Sequence, residues 1–184
     1  MMNPSSKTEI TNTLKQVYQE LYELLIACDQ DIFTHVASQK WSISAQLDHL
    51  IKSSKPVASA LNLPKITFRA FGIPNRDSRS YQQLVEAYQT LLAAGAKATA
   101  KYIPETQLPS QDTALAKWME IKDKLVERID KNWNEDQLDR YLMPHPILGK
   151  LTTREMLYFT IYHTLHHKKS MEQMMENYHL SNSK

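Results

Sequence analysis

The sequence predicts an all-α bundle with at least one long crossover between its helices. Three observations carry this reading. Apolar residues recur at helical spacing in successive long stretches. No alternating strand of useful length interrupts them. Only 3 of the 184 residues are glycine, which disfavours a fold with many tight β turns.

The first helix covers about 6–28, where Ile10, Leu14, Val17, Leu21, Leu24, Leu25 and Cys28 share one side. A short continuation reaches about 37. The second helix lies in KWSISAQLDHLIKSSKPVASALNL, with Ser42 as N-cap. Pro56 inside it removes a backbone donor and predicts a kink or an early end. LPKITFRAFGIPNRD, residues 63–77, has two prolines, a glycine and no period, and reads as a long crossover loop. A third helix covers about 78–102, with Tyr81, Leu84, Val85, Tyr88, Leu91 and Leu92 on one side. PETQLPSQD breaks the chain. A fourth helix, about 113–133, is built on Leu115, Trp118, Ile121, Leu125, Ile129 and Trp133. RYLMPHPILGKL reads as an irregular connector. The last helix has the clearest start: Thr152 is its N-cap, Glu155 completes a capping box, and Leu151 and Met156 form the flanking staple. It should run to about Asn177. Length fits one domain over 1–184, with about 1–5 and 179–184 frayed.

Composition narrows the function classes. Hydrophobic residues make up 42% and charged residues 23%, as in an ordinary globular protein. The formal charge of +2 comes from 22 basic and 20 acidic residues, without a basic stripe interleaved with aromatics, which argues against a nucleic-acid partner. Cys28 is the only cysteine, so no intrachain disulfide forms. Its place on an apolar stripe reads as a buried small hydrophobe. The polar start MMNPSSKTEI and the lack of any stretch near the roughly 20 apolar residues of a membrane span predict a cytoplasmic protein with no membrane partner.

The histidines carry the chemistry. His163 and His167 are four apart on the last helix and share a face with Met156, Phe159, Ser170 and Met174. Two imidazoles at this spacing can chelate one divalent ion, but the pair alone is a weak signal and reads more readily as two partly buried histidines bonded to carbonyls or water. His166 could geometrically replace His167. A third ligand could come from His35, His49, His145 or His179. His49 lies off the Leu47, Leu50, Ile51, Ser54, Leu61 stripe, beside Ala45 and Ser53. Periodicity therefore makes it a surface histidine slightly more often than a ligand.

Two segments resemble signatures of the DinB-like (DNA-damage-inducible) superfamily. KWSISAQLDHLI looks like its second-helix signature, and HPILGKLTTREMLYFTIYHTLHH looks like its later one: His-Pro, a Gly-x-Leu-Thr turn, a helix, then His-x-x-x-His. The resemblance implies a four-helix bundle with unusual connectivity, long crossovers and an additional helix. It implies a site in which three histidines hold one divalent metal, nickel or zinc, with water in the open positions. The matching residues are His49, His163 and His167, whereas His166 and His145 are not ligands in that pattern. One departure is visible: the final motif often continues with a glutamine, where this chain has KKSMEQ. Characterised members of the family include transferases and isomerases dependent on low-molecular-weight thiols. Others are described as metal-dependent hydrolases, and dimers are common.

The resemblance thus implies a small-molecule substrate, either for a hydrolase or for a thiol-dependent transferase, in a homodimer. The alternative is a non-catalytic bundle with a structural or sensory metal, closed by His166 or His145, or with none. The proton-transfer residue is not identified. Asp48 adjoins His49 in sequence but points about 100° away around the helix. Trp41 should anchor its helix or line a pocket, and Tyr162 should pack. The crossover cations Lys65, Arg69, Arg76 and Arg79 form a solvated loop, or else cover the metal and face an acidic substrate. Met171, Met174, Met175 and Tyr178 belong to a core or to a dimer interface.

Overall fold

Four long amphipathic helices wrap one core in a computed structural model that describes residues 3–36 and 40–182. They are α1 (Lys7–Ile26), α3 (Ile43–Ala60), α5 (Gln111–Asn132) and α7 (Thr153–Asn182). Each of α1 and α3 packs against both α5 and α7. The shorter α2 (Gln30–Thr34), α4 (Tyr81–Ala93) and α6 (Glu135–Arg140) occupy the connections, and α4 lies against α7 as the additional helix.

The apolar stripes read from the sequence are the buried ones. Ile10, Leu14, Val17, Leu21 and Leu25 of α1 meet Leu115, Trp118, Ile121, Leu125 and Ile129 of α5 in the core. At the centre, Tyr18 stacks on the fully buried Trp118, with centroids 3.9 Å apart. The Trp118 indole N–H donates to the Tyr18 carbonyl at 3.1 Å, and the Tyr18 hydroxyl donates to Ser54 of α3 at 2.8 Å. One aromatic pair so ties three helices together and leaves no polar atom unsatisfied. Cys28 is buried in the core, and burial pushes its thiol up to about 11, so it behaves as the small hydrophobe expected.

Several boundaries differ from the sequence expectation, each for a physical reason. The continuation of the first helix is the separate turn α2; its expected end at 37 lies outside the described residues. Pro56 does not end α3, which continues to Ala60. The third helix stops at Ala93, not 102. Gly95, at φ +91°, closes it: the Gly95 N–H donates to Leu92 O at 2.9 Å and the Ala96 N–H to Leu91 O at 3.0 Å, a Schellman stop. The chain then turns back through a 3₁₀ turn at Ala100–Tyr102. The 63–77 crossover contains a 3₁₀ helix at Lys65–Phe71, anchored by buried Phe68 against Trp133 and Tyr141.

The segment read as an irregular connector is a hairpin. Strand β1 (Leu142–His145) pairs antiparallel with β2 (Gly149–Thr152), with Leu142 opposite Thr152 and His145 opposite Gly149. Two prolines and strands of four residues hid it from a periodicity reading. The last helix begins where its capping box predicts. Thr152 Oγ1 accepts from the Glu155 N–H, and the Glu155 carboxylate accepts from the Thr152 N–H at 3.0 Å. It continues to Asn182, so residues 179–182 of the tail expected to fray are helical.

Candidate metal centre

His49, His163 and His167 are brought together by α3 and α7, which pack side by side. Their ring centroids form a near-equilateral triangle with sides of 4.9, 5.0 and 4.8 Å. One ring nitrogen from each lies within 4.8 Å of the others. His49 is therefore buried, not at the surface as its helical period favoured. The face it shares with Ala45, Gln46 and Ser53 is covered by α7 and by the returning chain after the Gly95 stop.

Each ring is oriented by a partner on its Nδ1. His49 Nδ1–H donates to the Tyr102 carbonyl at 2.6 Å. His167 Nδ1–H donates to Gln46 Oε1 at 2.9 Å. The orientation of the Gln46 amide follows from its nitrogen, which donates to Met174 Sδ at 3.1 Å and lies 3.5 Å from the Trp41 carbonyl. His163 Nδ1 lies 3.4 Å from Ser53 Oγ, whose own hydrogen is given to Leu50 O at 3.0 Å, so Ser53 can only accept there. His49 and His167 thus carry their hydrogens on Nδ1, which leaves their Nε2 atoms as acceptors, whereas the His163 hydrogen sits either on Nε2, facing His49, or on Nδ1, facing Ser53. The Nε2 atoms of His49 and His163 are 3.1 Å apart. That distance suits a hydrogen bond from one ring to the other, and with the His163 hydrogen on Nδ1 the two lone pairs instead face a point that a cation can share.

A proton is disfavoured in that role. Burial holds His49 and His163 below their ordinary value, His163 far below, and puts His167 at about 3. A divalent ion fits. Two nitrogens each about 2.0–2.1 Å from one ion at a tetrahedral angle stand about 3.3 Å apart. Outward hydrogen bonds on Nδ1 are the usual way a protein fixes ligand imidazoles.

The Tyr102 carbonyl is held in place by a strap at 102–105 clamped to α3. Lys52 Nζ donates to Ile103 O at 2.7 Å and to Glu105 at 2.6 Å, and Asp48 accepts from the Glu105 N–H at 3.0 Å. Asp48 thus bonds to the strap and acts on the His49 ring only through its charge. Gln46 and the strap were not singled out in the sequence. Gln46 had one available signal: it lies three residues before His49 and so shares its side of the helix.

Beside the histidines opens a cavity of about 430 Å³, lined in part by Trp41, Ser53, Tyr88, Phe159, His163 and Met156. Trp41 leans on the His49 ring at 5.1 Å and lines this space. Tyr162 packs outside it and accepts from Gln89 at 2.9 Å. His166 is exposed and outside the three-histidine cluster. The crossover contributes wall, through Thr67, Phe68 and Phe71, but its cations turn elsewhere. Lys65 lies 3.4 Å over the Trp133 ring, while Arg76 and Arg79 bind the fully buried Glu155.

The sequence matches no curated protein. Among solved structures, the fold is similar to TT2238, described as a four-helix bundle protein. That likeness has a TM-score of 0.58 and 18% identity, and covers 91% of this chain and 99% of that one. It is also similar to the colibactin self-resistance protein ClbS, solved in complex with a double-stranded DNA, with a TM-score of 0.55 and 16% identity over 94% of this chain and 97% of that one. Among the described residues, no helix is long and apolar enough to cross a membrane. The model of the DinB superfamily matches residues 13–171, and the chain belongs to that superfamily.

Proposed function

We propose that the protein is a metal-dependent enzyme acting on a small molecule in the cytoplasm, with His49, His163 and His167 holding one divalent ion, nickel or zinc. The observation that carries this reading is the convergence of three imidazoles, each contacted from behind by Tyr102, Ser53 or Gln46. When bound, such an ion supplies Lewis acidity towards a water or a thiol.

The chain's own residues do the rest. The outward hydrogen bonds hold the rings so that no reorganisation is needed on loading. Trp41, Tyr88 and Phe159 exclude bulk water from one side of the centre, and the cavity admits a substrate from that side. A structural metal would be closed by a fourth side chain. The cluster has three members among the described residues: His166 lines the cavity but stands outside the cluster, and His145 Nδ1 is taken by backbone N–H groups. That favours an open, catalytic site, either of a hydrolase or of a thiol-dependent transferase. The methionines considered for a dimer face pack inward, with Met171 fully buried and Met174 against Gln46. The homodimer remains part of the proposal on family grounds alone.

The test is elemental analysis of untagged protein beside a His49→Ala/His163→Ala double variant. Near-stoichiometric nickel or zinc in the first, absent from the second, is the expected result. No metal in either, even after reconstitution, overturns the proposal. Loaded protein is then assayed against hydrolase and thiol-transfer substrates.

A further inference from the structure

His145 is the histidine that the metal centre does not use. It ends β1, is 8% exposed, and lines the same cavity as the three-histidine cluster. Its Nδ1 accepts two backbone hydrogen bonds, from Ile147 at 3.2 Å and Leu148 at 3.0 Å, across the hairpin turn. A nitrogen that accepts two N–H groups carries no proton, so the neutral ring has its hydrogen on Nε2. Among the described residues nothing accepts from that Nε2–H, and none of their buried side-chain polar atoms lacks a partner. The Nε2–H is therefore open to the cavity. The ring is held edge-on to Phe159 at 4.2 Å, and Phe159 stacks on His163 at 4.9 Å, so one aromatic ring spaces the donor from the metal centre.

We propose that His145 is the hydrogen-bond donor to an acceptor oxygen, a carbonyl or its equivalent, of an apolar substrate bound in this cavity. The proposal deepens the reading of the cavity as a substrate chamber and rests on it. The substrate class follows from the walls. Pro56, Val57, Leu92, Met143, Ile147 and Met156 line the chamber with hydrocarbon, and a volume of about 430 Å³ takes a body of one or two rings. An apolar ligand gains orientation only from the few polar groups that face it. One of these, the Nε2–H, is locked in its tautomer by the turn and needs no reorganisation. Burial holds the ring neutral, at about 4, so it stays a one-proton donor throughout the physiological range.

The structural role of His145 has to be separated from the binding role, because its Nδ1 also holds the turn. His145→Asn does this. The asparagine Oδ1 can take over the two backbone N–H groups, as in an Asx turn, while nothing reaches the cavity. His145→Phe keeps the ring volume and removes both bonds. The probes are 2-acetylnaphthalene and its isostere 2-isopropenylnaphthalene, which differ by oxygen against methylene. Wild type should bind the ketone roughly five- to tenfold more tightly, the worth of one net hydrogen bond. The carbonyl stretch of the bound ketone should fall in frequency. Both effects should vanish in His145→Asn, with unchanged thermal unfolding and unchanged metal content. Equal binding of the two probes by wild type, a preference that survives in His145→Asn, or no binding of either probe overturns the proposal. Metal content is read separately, so loss of the metal reading shows as an empty wild-type centre whatever the probes do.

Discussion

The Nε2 atoms of His49 and His163 lie 3.1 Å apart, while the Nδ1 atoms of the two rings face the Tyr102 carbonyl and the Ser53 hydroxyl. For an ion held by these rings, the groups behind them should matter nearly as much as the rings. Gln46→Met keeps the side-chain volume and removes the acceptor from His167. Metal affinity should fall about 10–100-fold while helicity is unchanged. Competition with a chromogenic chelator measures it, and unchanged affinity would remove Gln46 from the site.

Metal binding at neutral pH should release almost no protons. His49, His163 and His167 are all held below 6.5 by burial and are already neutral at pH 7. Titration calorimetry in buffers of different ionisation enthalpy should give the same observed heat. A strong buffer dependence would mean that the rings are protonated before the ion arrives.

The metal-free protein should lose stability on the acid side of pH 6.5. His145 at about 4 and His167 at about 3 stay neutral when folded but titrate at about 6.5 when unfolded. Between those values the unfolded chain binds more protons, so stability is full above about 6.5 and falls as pH drops toward 4. The slope is roughly 1.4 kcal/mol per pH unit for each such histidine. Urea melts at stepped pH check it, and a flat profile from pH 7 to 5 would contradict it.

Glu155 should be the most costly single acid to remove. It is fully buried, its Oε1 and Oε2 take Arg76 at 2.6 and 3.0 Å, and it accepts the N–H groups of Arg79 and Thr152. Glu155→Ala strands these donors and undoes the α7 cap, at a cost of about 3 kcal/mol. Its carboxyl is held below the ordinary value by Arg76 and the two N–H groups, against the opposing effect of burial. Its contribution is therefore present above about 4.5 and lost as pH falls through the folded value. Chemical denaturation of the variant at pH 7 reads the cost.

Gly95→Ala should destabilise through the backbone alone. The left-handed φ of +91° strains any side chain, while the space around a new Cβ is open. The expected loss is about 1 kcal/mol. Metal affinity should drop with it, because the stop sets the path to Tyr102. A stability loss with full affinity would separate the stop from the site.

How much could be read in advance follows from how many faces each helix buries. The stripes of α1 and α5 were legible because each helix turns one apolar side to the core. On α3 that logic misplaced His49. Its helix is covered by α5, by α7 and by the strap, so Ser44, Gln46 and His49 are buried beside Leu47 and Leu50. A hydrophobic period sees only the apolar side of such a helix. The capping box at Thr152 and Glu155 was legible because it is local. That Glu155 also gathers Arg76 and Arg79, over 70 residues earlier, was not, and neither was a hairpin of four-residue strands containing proline.

The strap that carries the Tyr102 carbonyl is fastened to α3 mainly by Asp48, Lys52 and Glu105, with Ile103 and Glu105 exposed. Segments secured by a few surface bonds open far more often than the core unfolds. His49 would then lose its orienting acceptor each time the strap lifts, while His163 and His167 stay seated on α7. The rate at which an ion held there would exchange is thus set by residues 102–105, adjustable by Lys52 without touching a histidine of the cluster.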